Sequence, residues 1–397
     1  MAAANVVNIL AKGTVHPFPA RMAPELVATK IASLDDGAVV LDPMMGSGTF
    51  PVCASMAGLT AIGFDTDPLA VLIAQTVSSS YGLDAYVSVA EHVAASAAAR
   101  VGEVDIEVDA ETSAFIDYWF DSLTRSRLSA LACEIKAADS VFHAPLWCAF
   151  SRLIVSKDAS VSRARDVSHS RPHRVRELAL FDPIAKFVSA ARAIRNRVDS
   201  VRVNRSNDAQ PLLCRADARN LPLLDSSVDA VMTSPPYLVA IDYLRGHRLS
   251  LVWMGYSLSY LRRLRSGNVG AEAGLAAVSE KLTAISSRAV DREVSSRAAG
   301  LIRRYVYDVN NLMCEIDRVL RGSGQASFVI ADATFQGVKV SIETIFGGVA
   351  QLNNLTLAAR TTRALPSNRR YLPPPAGGAN PLDGRMKEEV VMVFKRC

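Results

Sequence analysis

The feature that most constrains the fold is a pair of glycines, Gly46 and Gly48, set between a short apolar run and a helix-forming run. Residues 38–42 (AVVLD) predict a buried strand, and a helix rich in Ala, Val and Met is predicted after the glycines. A second strand is predicted over 60–65 (TAIGFD), and a second helix begins at Asp67. A strand, a glycine turn, a helix and a strand in this order are typical of the start of a parallel α/β sheet.

The same alternation returns in the second half of the chain. Strands are predicted over 228–233, 325–331 and 389–394, and an amphipathic helix is predicted from Tyr305 to Leu320, closed by a turn at Gly322 and Gly324. We therefore expect one mostly parallel α/β sheet with helices on both faces. Two separated parts of the chain build it, 1–78 and 206–397.

A long segment of different character, 79–205, separates these parts and is expected to be a mainly helical insertion. It starts rich in Ala and Ser and becomes rich in Arg, and 151–205 contain 13 Lys and Arg against 5 Asp and Glu. A smaller insert is expected over 258–303. A positive surplus of this size suits contacts with phosphate, and a solvated helical face is the alternative.

Composition excludes several classes of protein. The 397 residues are 50% hydrophobic and 21% charged, which excludes a disordered or fibrous chain. No apolar run approaches the roughly 18 residues of a membrane span, and the start of the chain lacks the pattern of a signal peptide. The 6 cysteines include no Cys-x-x-Cys pair, so we expect a cytoplasmic protein without a zinc ribbon or another metal site.

The first chemical motif reads DPMMGSGT over residues 42–49. Its glycines allow the backbone to approach a ligand closely, and the start of the next helix offers free N–H groups. A phosphate-binding P-loop is excluded because no Lys follows Gly48, and a dinucleotide fingerprint is excluded because position 51 is proline. A plain turn that connects strand to helix is the alternative interpretation.

Asp65 ends the second predicted strand, 23 residues after Asp42. In nucleoside-binding α/β sheets, an acid at this position accepts hydrogen bonds from ribose hydroxyls. Asp67 is the competing candidate, but Asp67 followed by Pro68 has the pattern of a helix N-cap with proline at the first helical position. We therefore assign the ribose role to Asp65 and the capping role to Asp67.

The second chemical motif reads TSPPY over residues 233–237, directly after a predicted strand. Two consecutive prolines stiffen the turn and remove two N–H donors, so the carbonyls and the Ser234 hydroxyl are left as acceptors. Tyr237 offers a flat surface for stacking. This arrangement suits an amino group held in a fixed plane, and an ordinary Pro-Pro loop with a packed tyrosine is the alternative.

Together the two motifs resemble those of the amino-methyltransferases that methylate an exocyclic base nitrogen in DNA with S-adenosylmethionine. The first motif of that family reads Asp-Pro-Phe-x-Gly-Ser-Gly-Thr, from which this chain departs at Met44. The catalytic motif of the family is Asp/Asn/Ser-Pro-Pro-Tyr, and its serine form is most typical of enzymes that act on cytosine N4. The resemblance implies cofactor contacts by Asp42, Pro43, Met44, Gly46, Gly48, Thr49 and Asp65, and catalysis by Ser234, Pro235, Pro236 and Tyr237.

Further segments are similar to parts of the same family. His16, Pro17 and Phe18 resemble a segment that helps to close over the cofactor, and Asp217 matches an acid that meets the cofactor adenine. Residues 318–324 resemble a helix-to-strand turn. The resemblance covers 14–76 and 211–397, has no counterpart for 79–205, and implies the class I methyltransferase fold, a Rossmann-like sheet of seven strands.

The implied function is methylation of cytosine N4 in duplex DNA, with a restriction or defence protein as a further partner. Methylation of cytosine C5 is disfavoured because none of the cysteines follows a proline. The alternatives are an adenine N6 DNA methyltransferase, an RNA base methyltransferase and a catalytically silent DNA-binding subunit. Contacts with DNA phosphates are expected from Arg171, Arg174 and Arg176 in the basic insertion, and from Arg369 and Arg370 in a Pro/Gly-rich loop.

Overall fold

The computed structural model of the protein describes residues 14–18, 21–78, 80–202, 210–238, 242–271, 277–335, 338–365 and 388–397. Its main strands are β1 (Val39–Asp42), β2 (Thr60–Asp65), β5 (Leu212–Arg215), β6 (Val228–Thr233), β7 (Leu320–Ile330), β10 (Leu355–Ala364) and β11 (Glu388–Arg396). They form a seven-stranded sheet in the order β10-β11-β7-β6-β1-β2-β5. Neighbouring strands from β7 to β5 are parallel, and β11 is antiparallel to both of its neighbours.

Two short antiparallel hairpins lie outside this sheet, β3 (Ala164–Arg165) with β4 (His173–Arg174), and β8 (Ala333–Phe335) with β9 (Val338–Val340). The helices are α1 (Pro24–Ala32), α2 (Thr49–Met56), α3 (Pro68–Ser78), α4 (Leu83–Ala99), α5 (Ala110–Trp119), α6 (Ser122–Ala137), α7 (His143–Ile154), α8 (Pro183–Arg202), α9 (Tyr243–Leu251), α10 (Leu258–Gly267), α11 (Glu280–Arg288), α12 (Ser296–Val319) and α13 (Ile342–Ala350). None of these helices in the described ranges has the length and apolar character needed to cross a membrane.

Side chains alternate between the two faces of the sheet, as the strand period requires. On β1, Val40 packs with α1 and α2, whereas Leu41 packs on the opposite face with α11, α12 and α13. On β6, Met232 faces the first group of helices and Val231 faces the second. The predicted architecture is thereby confirmed: a mostly parallel, Rossmann-like sheet of seven strands with helices on both faces and a mainly helical insertion.

The insertion lies between α3 and β5 and contains α4 to α8. Its buried side chains form one hydrophobic cluster with Leu69 and Ile73 of α3 and with Leu249 and Leu261 of α9 and α10. The insertion therefore shares a core with the helix that follows β2 and with the helices that follow β6.

The insertion and α9 approach each other most closely at Gly246. A Cβ atom on Gly246 would lie 2.3 Å from the carbonyl oxygen of Val167 and 3.5 Å from the Cα of Ser170. Both neighbours are backbone atoms, which cannot rotate away as the end of a side chain can. Only glycine fits at this point of the α9 surface.

The structure corrects two predictions around β7. The predicted helix from Tyr305 begins earlier, at Ser296, because the Ser295 side chain caps it by accepting a hydrogen bond from the Ala298 N–H. The turn predicted at Gly322 and Gly324 is wrong, since both glycines lie inside β7. A Cβ on Gly324 would lie 3.1 Å from the Asp229 carbonyl oxygen, so this glycine serves a close approach between strands.

Two strands of the sheet have no counterpart among the sequence predictions. β5 is only four residues long, and three of them are exposed. β10 is an edge strand in which only its first residue, Leu355, is buried. Neither strand has the alternating apolar pattern from which a half-buried strand is predicted.

We expect Gly246→Ala to lower the free energy of unfolding by about 1–3 kcal/mol, because the added methyl group overpacks a contact with backbone. The matched control is Gly267→Ala in α10, where no atom lies within 4 Å of the added Cβ. Urea unfolding of the two variants and the parent measures the difference. Equal stabilities of all three would contradict the close packing at Gly246.

Candidate active site at the carboxyl ends of the strands

The central strands β1 and β6 form a topological switch point. From β1 the sheet continues to β2 on one side, and from β6 it continues to β7 on the other. The register pairs Val40 with Ala230 and Leu41 with Val231, which brings the ends of both strands, Asp42 and Thr233, to the same edge. Open α/β sheets bind their ligands in the crevice at such a point.

The predicted glycine turn follows β1 at this edge. Gly46 and Gly48 have φ angles of +52° and +80°, which non-glycine residues rarely adopt. A Cβ on Gly48 would lie only 2.6 Å from the Cβ of Ala74 in α3. α2 then begins at Thr49 without a side-chain cap on its first N–H groups, so the turn presents backbone donors as an anion-binding helix start does.

The Asp65 carboxylate fixes this turn from the end of β2. The Gly46 N–H donates to Asp65 Oδ2, and the Asp67 N–H donates to Asp65 Oδ1, each at 2.9 Å. Asp67 in turn accepts the Leu69 N–H at 2.9 Å, which is the capping contact expected of it. Each Asp65 oxygen keeps a lone pair, so the acid can still accept a hydroxyl of a ligand.

Asp42 and Asp65 both have raised pKa values. Burial raises the pKa of Asp42 to about 7, the Asp65 carboxylate adds to the rise, and the Met44 N–H, which donates to Asp42 Oδ1 at 3.1 Å, opposes it. Burial also raises the pKa of Asp65 to about 6, with a further rise from the neighbouring Asp67 carboxylate. Two acids at the ends of adjacent strands are thus poised to respond to a nearby positive charge.

The segment His16-Pro17-Phe18 covers the glycine turn. The Phe18 ring would lie 3.2 Å from a Cβ on Gly46, and it stacks on Tyr243 of α9 with ring centroids 5.2 Å apart. His16 is fully buried, and its Nε2 lies 2.9 Å from Ser151 Oγ of the insertion. Burial, with the nearby His247 and Arg152, lowers the pKa of His16 well below its usual range, so this side chain is a neutral anchor for the segment.

A buried histidine of α9 completes the covering. His247 Nδ1 lies 2.5 Å from Asp67 Oδ2, and both side chains are nearly inaccessible to solvent. The His247 ring also packs against Phe18, with centroids 5.6 Å apart. The helix that follows the TSPPY motif is therefore joined to the acid-bearing end of β2.

The TSPPY turn has the acceptors that its sequence predicts. The Ser234 hydroxyl donates to the Val329 carbonyl of β7 at 3.2 Å, which leaves its oxygen lone pairs for other donors. The Tyr305 hydroxyl of α12 donates to the Pro236 carbonyl at 3.0 Å and fixes the turn. No group of the described residues donates a hydrogen bond to the Pro235 carbonyl.

Tyr237 is half-buried beside this turn. Burial raises its pKa to about 12, the Glu389 carboxylate contributes to the rise, and a hydrogen bond with Ser234 opposes it. A Cβ on Gly270 would lie 3.2 Å from the Tyr237 carbonyl oxygen, so the chain that leaves α10 passes directly against Tyr237. Tyr237 and Ser234 thus form one surface at the end of β6.

Asp217 lies two residues beyond β5 at the same edge of the sheet. Arg219 donates to both of its oxygens, at 2.9 and 2.6 Å, and also to Asp308 of α12 at 2.6 Å. Asp308 is fully buried and also accepts from Arg304 at 3.0 Å. The expected adenine contact is therefore an acid already paired with arginine, and 39% of its side chain remains exposed.

The three arginines expected to contact DNA lie at the hairpin of β3 and β4. Arg174 pairs with Glu177, and Arg176 donates to the Asp158 carbonyl at 3.1 Å. Arg171 is exposed. Arg369 and Arg370 lie outside the described residues.

Three residues that organise the site have no role among the sequence predictions: Tyr305, His247 and Arg219. Each acts on a partner that is distant along the chain, respectively Pro236, Asp67 and Asp308. No local pattern marks such residues, because only the strand order brings the partners together. His247 had one indirect signal, since it lies in a capped helix directly after the TSPPY motif.

No protein-family model matches the chain, and no curated protein matches it. Among solved structures, it is similar to a SAM-dependent methyltransferase from Methanosarcina mazei, at 8% identity over 95% of this chain and 99% of that one, with a TM-score of 0.35. A TehB-like SAM-dependent methyltransferase from Corynebacterium glutamicum aligns at 8% identity over 98% of this chain and 91% of that one, with a TM-score of 0.32. The rRNA methyltransferase AviRa from Streptomyces viridochromogenes aligns at 12% identity over 99% of this chain and 93% of that one, with a TM-score of 0.31. Since these scores are below 0.5, the fold assignment rests on the strand order of the chain itself.

We expect the buried Asp42 to make stability depend on pH. Its pKa is raised from 3.8 to about 7, so the folded chain binds more protons than the unfolded chain in that range, and stability falls as pH rises through it. Asp42→Asn should reduce the loss of unfolding free energy between pH 5 and pH 8 by about 2–3 kcal/mol.

Urea unfolding at the two pH values measures this effect. Asp84→Asn is the matched control, because 95% of the Asp84 side chain is exposed. A parental pH dependence in the Asp42→Asn variant would show that Asp42 is ionised in the folded protein throughout this range.

Proposed function

We propose that the protein is an S-adenosylmethionine-dependent DNA methyltransferase that acts on cytosine N4 in duplex DNA. The observation that carries the proposal is the meeting of two turns at the ends of β1 and β6: the Asp42–Thr49 glycine turn and the Ser234–Tyr237 turn. One turn has the features of a nucleoside site and the other has acceptors for an amino group. A methyl transfer from a nucleoside cofactor to a base nitrogen needs both in one crevice.

The glycine turn and its acids are suited to hold S-adenosylmethionine. Asp65 would accept the ribose hydroxyls with its remaining lone pairs, and the N–H groups at the start of α2 would face the cofactor carboxylate. Asp42 and Asp65 would lie near the positive charges of the cofactor, which favour their ionised forms. The cofactor supplies the methyl group, bound to a positively charged sulfur.

The TSPPY turn is suited to activate the base. An exocyclic amino nitrogen is a poor nucleophile because its lone pair is delocalised into the ring. Ser234 Oγ and the Pro235 carbonyl would accept hydrogen bonds from its two N–H groups, so the nitrogen would become more tetrahedral and its lone pair would face the methyl group. One of the two protons then leaves the nitrogen for solvent, because the methylated amino group ends neutral. Positioning and preorganised dipoles of this kind account for much of the acceleration in such reactions.

The base must leave the duplex to reach this turn. Tyr237, half-buried next to Ser234, would stack on the extruded base. The turn is held from both sides, by Val329 through Ser234 and by Tyr305 through Pro236. A turn held in this way keeps its acceptors in place before the base arrives, which is what preorganisation requires.

We expect Ser234→Ala to slow methyl transfer roughly 10²–10³-fold, because one preorganised acceptor is lost. Cofactor affinity should hardly change. The measurement is transfer of labelled methyl groups from S-adenosylmethionine to duplex DNA, compared with transfer RNA. A parental rate in the variant would make TSPPY a structural turn, and transfer to RNA alone would assign the enzyme to RNA.

Two substitutions of Tyr237 distinguish the contribution of its ring, by stacking, from that of its hydroxyl, by hydrogen bonding. We expect Tyr237→Phe to have a mild effect, whereas Tyr237→Ala removes a stacking surface worth about 1–3 kcal/mol per base. The same transfer assay, with cofactor binding as a control, measures the two variants. Equal losses in both would assign the effect to the hydroxyl near Ser234.

Nucleoside mass spectrometry of the methylated DNA identifies the product. N4-methylcytosine supports the proposal, and N6-methyladenine would change the assigned target base from cytosine to adenine.

Asp65→Asn tests the cofactor site. We expect S-adenosylmethionine to bind about 10-fold or more weakly, because hydrogen bonds to a charged acceptor contribute about 1.5–3 kcal/mol. Affinity for duplex DNA should fall far less than affinity for the cofactor. Calorimetric titration measures the cofactor, with the exposed Asp84→Asn as control. An unchanged cofactor affinity would place the ribose elsewhere.

A further inference from the structure

Two helices that follow the TSPPY turn carry arginines in the same spacing. Arg245 and Arg248 lie on α9, and Arg262 and Arg265 lie on α10. Side chains three residues apart share one face of a helix, and α9 packs directly on α10. We call these four residues the arginine cluster.

The arginine cluster borders the candidate active site. α9 begins at Tyr243, a few residues after Tyr237, and the chain that leaves α10 contacts the Tyr237 carbonyl at Gly270. Tyr243 itself stacks on Phe18, which covers the glycine turn. A ligand that lies across α9 and α10 is therefore adjacent to the end of β6.

Two carboxylates of the described residues lie within the arginine cluster. Asp242 caps α9, pairs closely with Arg265, and has Arg245 at 3.6 Å. Glu111 of α5 pairs with Arg262. Both Arg262 and Glu111 are about half exposed, so this pair can open toward solvent.

Arg248 differs from the other three members. No described carboxylate lies within ion-pair distance of it, and its guanidinium carbon lies 5.2 Å from the centre of the Phe115 ring. Its Nε is buried and has no hydrogen-bond partner among the described residues. Burial and the nearby guanidinium groups of Arg265, Arg245 and Arg262 lower the pKa of Arg248, against the attraction of Asp242. Arg248 is thus a partly buried guanidinium group that forms no ion pair with a described carboxylate, and an anionic ligand would compensate its charge.

We propose that the arginine cluster binds a backbone phosphate of the duplex DNA next to the extruded base. The proposal rests on the proposed function for the choice of duplex DNA. Arginine suits this role because its planar group donates two parallel hydrogen bonds to phosphate oxygens. The phosphate contact nearest the chemistry then comes from the helices after the TSPPY turn rather than from the arginines of the β3–β4 hairpin.

The test is the salt dependence of duplex binding, measured by fluorescence anisotropy with an oligonucleotide duplex between 50 and 200 mM NaCl, roughly the range over which phosphate contacts dominate affinity. Arg248→Met keeps the packing on Phe115 and removes the charge, and Arg262→Gln changes an exposed position. The slope of log affinity against log salt is negative, and each lost phosphate contact makes it shallower by about 0.9. We expect a shallower slope in both variants and a partial return to the parental slope in Arg248→Lys.

Arg321→Gln is the matched control. Arg321 is exposed and paired at 2.6 Å with Asp229, near the amino ends of β7 and β6 and therefore at the opposite edge of the sheet. The Arg321→Gln variant should show the parental slope of log affinity against log salt. Parental slopes in both Arg248→Met and Arg262→Gln would overturn the proposal, as would a parent that does not bind duplex DNA, or variants that weaken double-stranded RNA and leave duplex DNA unaffected.

The methyl-transfer assay keeps this proposal separate from the proposed function. A parent that binds duplex DNA with the expected slopes but transfers no methyl group would remove the enzymatic assignment and leave the arginine cluster as a phosphate site. If the parent methylates duplex DNA and the variants keep the parental slope, the enzymatic assignment stands and the arginine cluster is not the phosphate site.

Discussion

The Asp65 carboxylate joins the separate parts of the site, and the other contacts depend on it. It holds the Gly46 N–H on one side and the Asp67 N–H on the other. Through Asp67 it is connected to His247, and so to the helix that follows the TSPPY turn. A single acid at the end of β2 therefore positions both the glycine turn and the covering helix, while burial and its neighbours keep its pKa near 6.

The central part of the fold could be predicted from local sequence. β1, β2 and β6 are short, apolar and followed by glycine or proline, so their positions and the two turns are encoded within a few residues. β10 could not be predicted, because its exposed side chains show no apolar alternation. The turn predicted at Gly322 and Gly324 is wrong for a related reason: glycine marks a turn in most sequences, but Gly324 here allows β6 and β7 to approach closely.

The candidate site follows the same division. Ser234, Gly46 and Asp65 stand in motifs, so sequence alone identifies them. Tyr305 and Arg219 support those motifs from elements far along the chain, and only the packing of the sheet places them there. Asp217 illustrates the limit, since its position at the strand edge was predictable but its pairing with Arg219 was not.

Because the crevice lies between β1 and β6, it can form only after both strands have been synthesised. The Val39 N–H donates to the Asp229 carboxylate, which lies 190 positions later in the chain, and the whole insertion is synthesised between them. Contacts of such high sequence separation close large loops and form slowly. At roughly 5–20 residues per second of translation, the glycine turn waits for tens of seconds before its facing turn leaves the ribosome. During synthesis the amino-terminal part therefore holds only one of the two turns, and the edge of β1 that pairs with β6 stays unpaired until β6 is made.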